Sequence, residues 1–141
     1  MLRAGGDMYG VKRLLAESNA QGLVELAMVL PVLLMLLMGI VEFGRVYGSY
    51  LVISNLAREG ARYGVVGHTD SQIENIIVSQ RAYLDEDRLT VTITPSDETR
   101  AKGSPLEVAI DYTVPLITPF LGDILPDPFP LSAQCIMRVE N

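Results

Sequence analysis

The sequence predicts an α+β protein: a long N-terminal helix with a transmembrane first half, one amphipathic helix, and a small three-stranded antiparallel sheet. Three observations carry this. Residues 26–41 (LAMVLPVLLMLLMGIV) form a run without a charged side chain. Ile73, Ile76 and Ile77 recur on one helical face behind a cluster of helix-start residues. Three later segments alternate apolar and polar residues with a period of two, the pattern of strands with one covered face. A chain of 141 residues fits one domain of ordinary size with little room for a second.

The charge-free run of 16 residues spans ~24 Å as a helix, against a hydrocarbon core of ~30 Å. It gains length at both ends. The uncharged stretch Ser18–Val24 precedes it, and Phe43, Val46, Tyr47, Tyr50, Leu51, Val52 and Ile53 continue an apolar face past Glu42 and Arg45. A soluble core helix is the competing reading, but such helices rarely lack polar residues on every face. Pro31 removes one backbone donor inside the run and predicts a kink or local opening. The division expected is an N-terminal segment over 1–20, a long helix over 21–66 with its anchor at 26–41, and an α+β domain over 67–141.

Net charges of these parts are +1, 0 and −7. The acidic C-terminal part argues against nucleic-acid binding. Basic residues Arg3, Lys12 and Arg13 all precede the run, so the positive-inside rule places the N-terminus in the cytoplasm and the acidic part outside. A conventional cleaved signal fits poorly. Its n-region would be long and partly acidic, and Gly48-Ser49 is a poor substitute for a small-residue cleavage site after Val41.

Charged residues along this helix have plain physical readings. A carboxylate at the centre of a membrane helix costs ~2.5–3.5 kcal/mol on insertion scales. Glu25 sits near the start of the run, where it faces the helix N-terminus or simply snorkels to the interface. Glu42 and Arg45 are three apart, and Arg58 and Arg62 four apart with Glu59 between them, so side chains meet at helical spacing. They form either a solvated helix face or subunit-contact charges in a filament or initiation complex.

The stretch from Asn19 to Gly64 reads NAQGLVELAMVLPVLLMLLMGIVEFGRVYGSYLVISNLAREGARYG. It resembles the TadE-like family of tight-adherence (Flp-type) pilus systems. A Gly or Ala stands five residues before a Glu, and an apolar run containing V-L-P follows. An E-F-G-R-type segment and an A-R-E-G-A-R-Y segment complete the pattern. The closing Met137-Arg138-Val139-Glu140 is similar to the family's last strand. The resemblance implies a pseudopilin cut by prepilin peptidase before the apolar segment, which stays as the anchor. With Glu25 at the fifth mature position, the cut falls between Ala20 and Gln21. Ala20 stands where the family more often has Gly, and Leu26 where it more often has Phe or Tyr. Gly22 offers a competing cut that would leave Glu25 third. The resemblance further implies that Glu25 pairs with the new N-terminal ammonium of a neighbouring subunit.

Beyond the helix, Thr69, Asp70 and Ser71 are helix-start residues and Ser71-Gln-Ile-Glu74 is a capping-box pattern, which predicts a helix over about 71–83. His68 lies in the turn before it and reads as polar surface. Leu89, Val91 and Ile93 alternate with threonines; Leu106, Val108, Ile110, Tyr112 and Val114 alternate with Glu107, Ala109, Asp111 and Thr113. Leu131, Ala133, Cys135, Met137 and Val139 form the third such series, with the lone cysteine a small hydrophobe on the covered face. Loop 96–104 (SDETRAKGS) is polar and reads as mobile. Connection 115–130 holds five of the eight prolines among Leu116, Ile117, Phe120, Leu121, Ile124, Leu125 and Phe129. Such a segment either folds over the sheet edge or meets a partner.

Asp111, Asp123 and Asp127 lack the ligand spacing of a calcium loop, and no phosphate loop, nucleophile elbow or zinc-ligand spacing is present. The expectation is an assembly part, not an enzyme, without metal or cofactor. Its partners would be prepilin peptidase, the major pilin, other Tad pilus-assembly components and membrane lipid. It would be single-pass in the cytoplasmic membrane, acting in pilus assembly and cell adhesion. The alternative is an uncleaved bitopic protein whose outer domain binds a ligand or envelope partner.

Overall fold

The computed structural model describes residues 7–119 and 121–140, with side chains from Ala20 onward. Residues 1–6 of the expected leader, the side chains of 7–19, Phe120 and Asn141 lie outside the described residues. The chain divides into two compact units, Met1–Ile40 and Val41–Asn141. Helix α1 (Asp7–Val65) contributes to both.

In the first unit, the large apolar side chains from Leu23 to Ile40 are all exposed. Here α1 carries a stretch long and apolar enough to cross a membrane. Pro31 does not end the helix. Its missing N–H leaves only the Ala27 carbonyl without its usual donor, a local loss that flanking turns bridge.

The second unit is the α+β domain. Helix α1 ends at Val65 and the chain turns at Gly67, whose φ of +97° an L side chain would resist, with the His68 N–H donating back to the Tyr63 carbonyl. Helix α2 covers Asp70–Ser79. It starts earlier than the sequence pattern suggests, because Thr69 and Gln72 form the capping box, two residues before Ser71 and Glu74. It also stops earlier. Gln80 caps it and Ala82 adopts φ +56°, a turn that delivers Leu84 to the core from outside the helix.

Strands β1 (Leu89–Thr94), β2 (Pro105–Val114) and β3 (Phe129–Arg138) form an antiparallel sheet in the order β1-β2-β3. The register pairs Val91 with Ile110 and Ile110 with Ala133, so the apolar series of all three strands share one face. Strand β3 begins two residues before the predicted alternation, at Phe129-Pro130. As an edge strand it tolerates the proline that a central strand would not.

A stripe along α1 and the inner face of α2 close this sheet face. Ile53, Leu56, Ala57, Ala61 and Val65 pack with Ile73, Ile77, Leu106, Val108 and Ile110. Each fully buried Ile or Leu contributes about 2 kcal/mol of transfer free energy. Small residues set the spacing. A Cβ on Gly64 would come within 2.3 Å of Leu106, and one on Gly60 within 2.9 Å of Ile77, so the helix backbone lies directly on its neighbours there.

Loop 96–104 is tied down rather than loose. Arg100, its side chain 5% exposed, donates to the carbonyls of Gly64, His68 and Pro95 and pairs with Asp70. Asp70 and Asp97 accept reciprocally from each other's backbone N–H. One buried guanidinium thus links the end of α1, the start of α2 and the loop after β1.

Candidate functional site

In the first unit, Ala20, Gln21 and Glu25 all lie within α1 with exposed side chains. The Gln21 amide donates to the Glu25 carboxylate at 3.3 Å, the contact expected of residues one helical turn apart. Glu25 is therefore on the surface of the helix, with its second oxygen accessible. Around it, Leu23, Val24 and Leu26 are exposed as well.

Glu42, in the second unit, has the opposite environment. It is 2% exposed. Its place follows from spacing: Glu42, Val46, Ser49, Ile53, Leu56 and Gly60 fall on the stripe of α1 that faces the domain. One carboxylate oxygen accepts from the main-chain N–H of Ile117 at 2.9 Å and of Thr118 at 3.0 Å, and from the Thr118 hydroxyl at 2.9 Å. The other accepts from Arg45 at 2.9 Å. Arg45 also donates to the Pro115 carbonyl at 3.4 Å. Burial alone pushes the Glu42 pKa up. Hydrogen bonds from Ile117 and Thr118, with the Arg45 guanidinium behind them, outweigh it and hold the pKa below the ordinary glutamate value of 4.5.

This carboxylate clasps the start of the proline-rich connection to α1. Elsewhere in that segment, the Leu116 N–H donates to Asp127 at 3.1 Å, and a short 3-10 turn, Leu121–Asp123, folds the chain back. Asp127 thus serves as a backbone acceptor. The first residues of this apolar connection are held to α1, not laid over the sheet edge. Ile117, Ile124 and Leu125 stay exposed.

The remaining charged residues lie on the outer side of α1. Arg62 pairs with Glu59 at 2.5 Å and stacks 5.5 Å above the Tyr63 ring; the Glu59 carboxylate raises the Arg62 pKa. Arg58 is exposed and borders a shallow groove with Asn55, Glu59 and Gln80. The structure therefore separates the charges grouped by sequence. Glu42 and Arg45 form an internal clasp, whereas Arg58, Glu59 and Arg62 lie on the outer side of α1, with Arg58 and Arg62 exposed. The ring Nδ1 of His68 lies 3.1 Å from the Tyr63 carbonyl. Cys135 is half-buried on the covered sheet face.

Sequence reasoning missed the partners of Glu42, because Ile117 and Thr118 contribute main-chain donors that leave no side-chain signature. The readable signal was positional: a glutamate in register with Ser49 and Ile53 on a helix stripe bound for the core.

A sequence model of the family described as TadE-like protein matches residues 20–62. That stretch begins at Ala20, includes Glu25 and most of the helix stretch apolar enough to cross a membrane, and ends at Arg62. The chain thus carries a TadE-like segment. Neither a curated protein nor a solved structure matches the chain.

Proposed function

We propose that the protein is a minor pseudopilin that acts in assembling a tight-adherence (Flp-type) pilus. The observation that carries this reading is the TadE-like match over 20–62, which sets Glu25 five residues along from Ala20 and immediately before an exposed apolar helix. In this reading residues 26–41 anchor the chain in the cytoplasmic membrane with the N-terminus inside. Prepilin peptidase removes the leader between Ala20 and Gln21 and leaves the anchor in place. Release creates an ammonium on Gln21. Glu25, exposed and charged at the edge of an apolar helix, then pairs with the ammonium of a neighbouring subunit as the helices pack side by side. The α+β domain remains outside the membrane. The protein works by association with the major pilin and other pilus-assembly components and not by catalysis.

The test is expression of the full-length chain in membranes with and without prepilin peptidase, followed by intact mass and N-terminal sequencing. The expected product is a peptidase-dependent chain starting at Gln21. Retention of Met1–Ala20, under conditions where a control pilin is cut, would sink the pseudopilin reading and favour an uncleaved bitopic protein.

A further inference from the structure

We propose that the proline-rich connection and the adjacent aromatic ridge of α1 form a foot that rests in the headgroup layer of the bilayer. This rests on the reading of 26–41 as the membrane anchor. Ile124 is 82% exposed and Ile117 57%, with Leu125 also exposed on the same connection. Phe43 is 70% exposed and stacks on Tyr47 with ring centroids 6.0 Å apart. Solvent-facing aliphatic and aromatic groups of this size on one small domain call for a cover.

The position of the connection identifies the cover. Glu42 holds the main-chain nitrogens of Ile117 and Thr118 at 2.9 and 3.0 Å. Glu42 follows directly on Val41, the last residue of the uncharged run. A helix rises ~1.5 Å per residue, and the headgroup region extends roughly 5–8 Å beyond the hydrocarbon on each side. Phe43 therefore lies ~3 Å beyond Val41 along the helix axis, within the layer where aromatic side chains concentrate, and Tyr47 ~9 Å beyond it, at the layer's outer edge. The clasp brings the start of the connection to that same level. It also explains why a carboxylate is tolerated at the membrane exit: its charge is satisfied by the domain's own donors.

Charge narrows the surface further. The connection carries Asp123 and Asp127, with Arg45 beside the clasp. The two acids disfavour a strongly anionic surface, so the fitting partner is a neutral, zwitterionic headgroup layer entered shallowly by Ile117, Ile124 and Leu125.

The chain contains no tryptophan, so single Trp variants report cleanly. Full-length Ile124→Trp, Leu36→Trp and Gln134→Trp proteins are reconstituted in phosphatidylcholine vesicles, with and without bromine on the upper acyl chain. Ile124→Trp is expected to lose roughly half its emission in brominated lipid and to resist aqueous iodide, as an interfacial side chain should. Leu36→Trp, in the anchor, reports the bilayer itself, and Gln134→Trp, on the exposed sheet face, reports water. Ile117→Trp gives a second, independent reading of the connection. If Ile124→Trp and Ile117→Trp match Gln134→Trp while Leu36→Trp is quenched, the anchor stands and the foot is overturned. Shielding from iodide without quenching by bromine would also overturn it, in favour of a protein contact. Loss of quenching at Leu36→Trp would remove the anchor, and the foot with it.

Discussion

Glu25 and Glu42 lie on one helix, yet the two units treat them as opposites. Glu25 is exposed, with the Gln21 amide on one of its oxygens. Glu42 is buried, with main-chain, hydroxyl and guanidinium donors closing around it. The same contrast separates the apolar residues. From Leu23 to Ile40 the large ones face outward, whereas from Ile53 to Val65 the stripe is closed by α2 and the sheet. Residue size accompanies the difference. The outward stretch is rich in Leu, Val and Met, while the closed stripe carries Ala57, Gly60, Ala61 and Gly64. Large side chains suit lipid or a neighbouring subunit, and small ones let a backbone lie against its own domain. Glu25 keeps its exposure, whereas Glu42 is committed to donors of its own chain.

The largest expected effect comes from breaking the satisfied one. Glu42→Ala leaves the Ile117 and Thr118 donors without their acceptor and frees the start of the connection. Hydrogen bonds to a charged group contribute ~1.5–3 kcal/mol each, and partial rehydration recovers some of this, so the domain should lose about 3 kcal/mol. Urea titration of the full-length protein in mild detergent measures it. Hydrogen exchange at the Ile117 and Thr118 amides should rise in the same variant. A change below about 0.5 kcal/mol would mean that the clasp adds nothing to stability.

The glycines sharpen the comparison along the helix. Gly64→Ala places a methyl within 2.3 Å of Leu106 and 3.1 Å of Ile73. Overpacking costs ~1–3 kcal/mol and the gain in helix propensity returns ~1 kcal/mol, so a net loss of up to about 2 kcal/mol is expected. Gly44→Ala meets nothing within 4 Å. It should instead stabilise the helix by about 0.5–1 kcal/mol. The same titration reads both, and equal effects at the two positions would contradict the close approach at Gly64.

Much of this division was legible in the sequence. The uncharged run marked the stretch of α1 that is long and apolar enough to cross a membrane, and the alternation Leu89–Thr94 placed β1 to the residue, because a period of two over one covered face has few other solutions. The clasp was not legible as such. Glu42 and Arg45 fit an ordinary i, i+3 pair on a solvated face, and the deciding donors come from the backbone about 75 positions later, in a segment whose prolines give no periodic signal. Arg100 was hidden likewise. Its loop is polar throughout, but the carbonyls that bury its guanidinium belong to the end of α1 and the turn after it. Side-chain patterns encode faces; they do not encode which main-chain groups a fold leaves in need of a partner.

The smallest effect expected is the pH response of the clasp, because its causes oppose one another. Desolvation raises the Glu42 pKa, and the hydrogen bonds with Arg45 lower it by more, leaving a net depression below 4.5. A carboxyl whose folded-state pKa lies below its unfolded value binds fewer protons folded than unfolded between the two. Its contribution is therefore complete above 4.5 and is lost as pH falls through the folded-state value. Other carboxylates titrate in the same range, so the reading must be differential. Glu42→Gln keeps the side chain's size and cannot titrate. The stability gap between wild type and this variant should be constant from neutral pH down to about 4.5 and narrow below it. A gap that widened on acidification would mean that burial, not the donors at Ile117 and Thr118, governs this carboxylate.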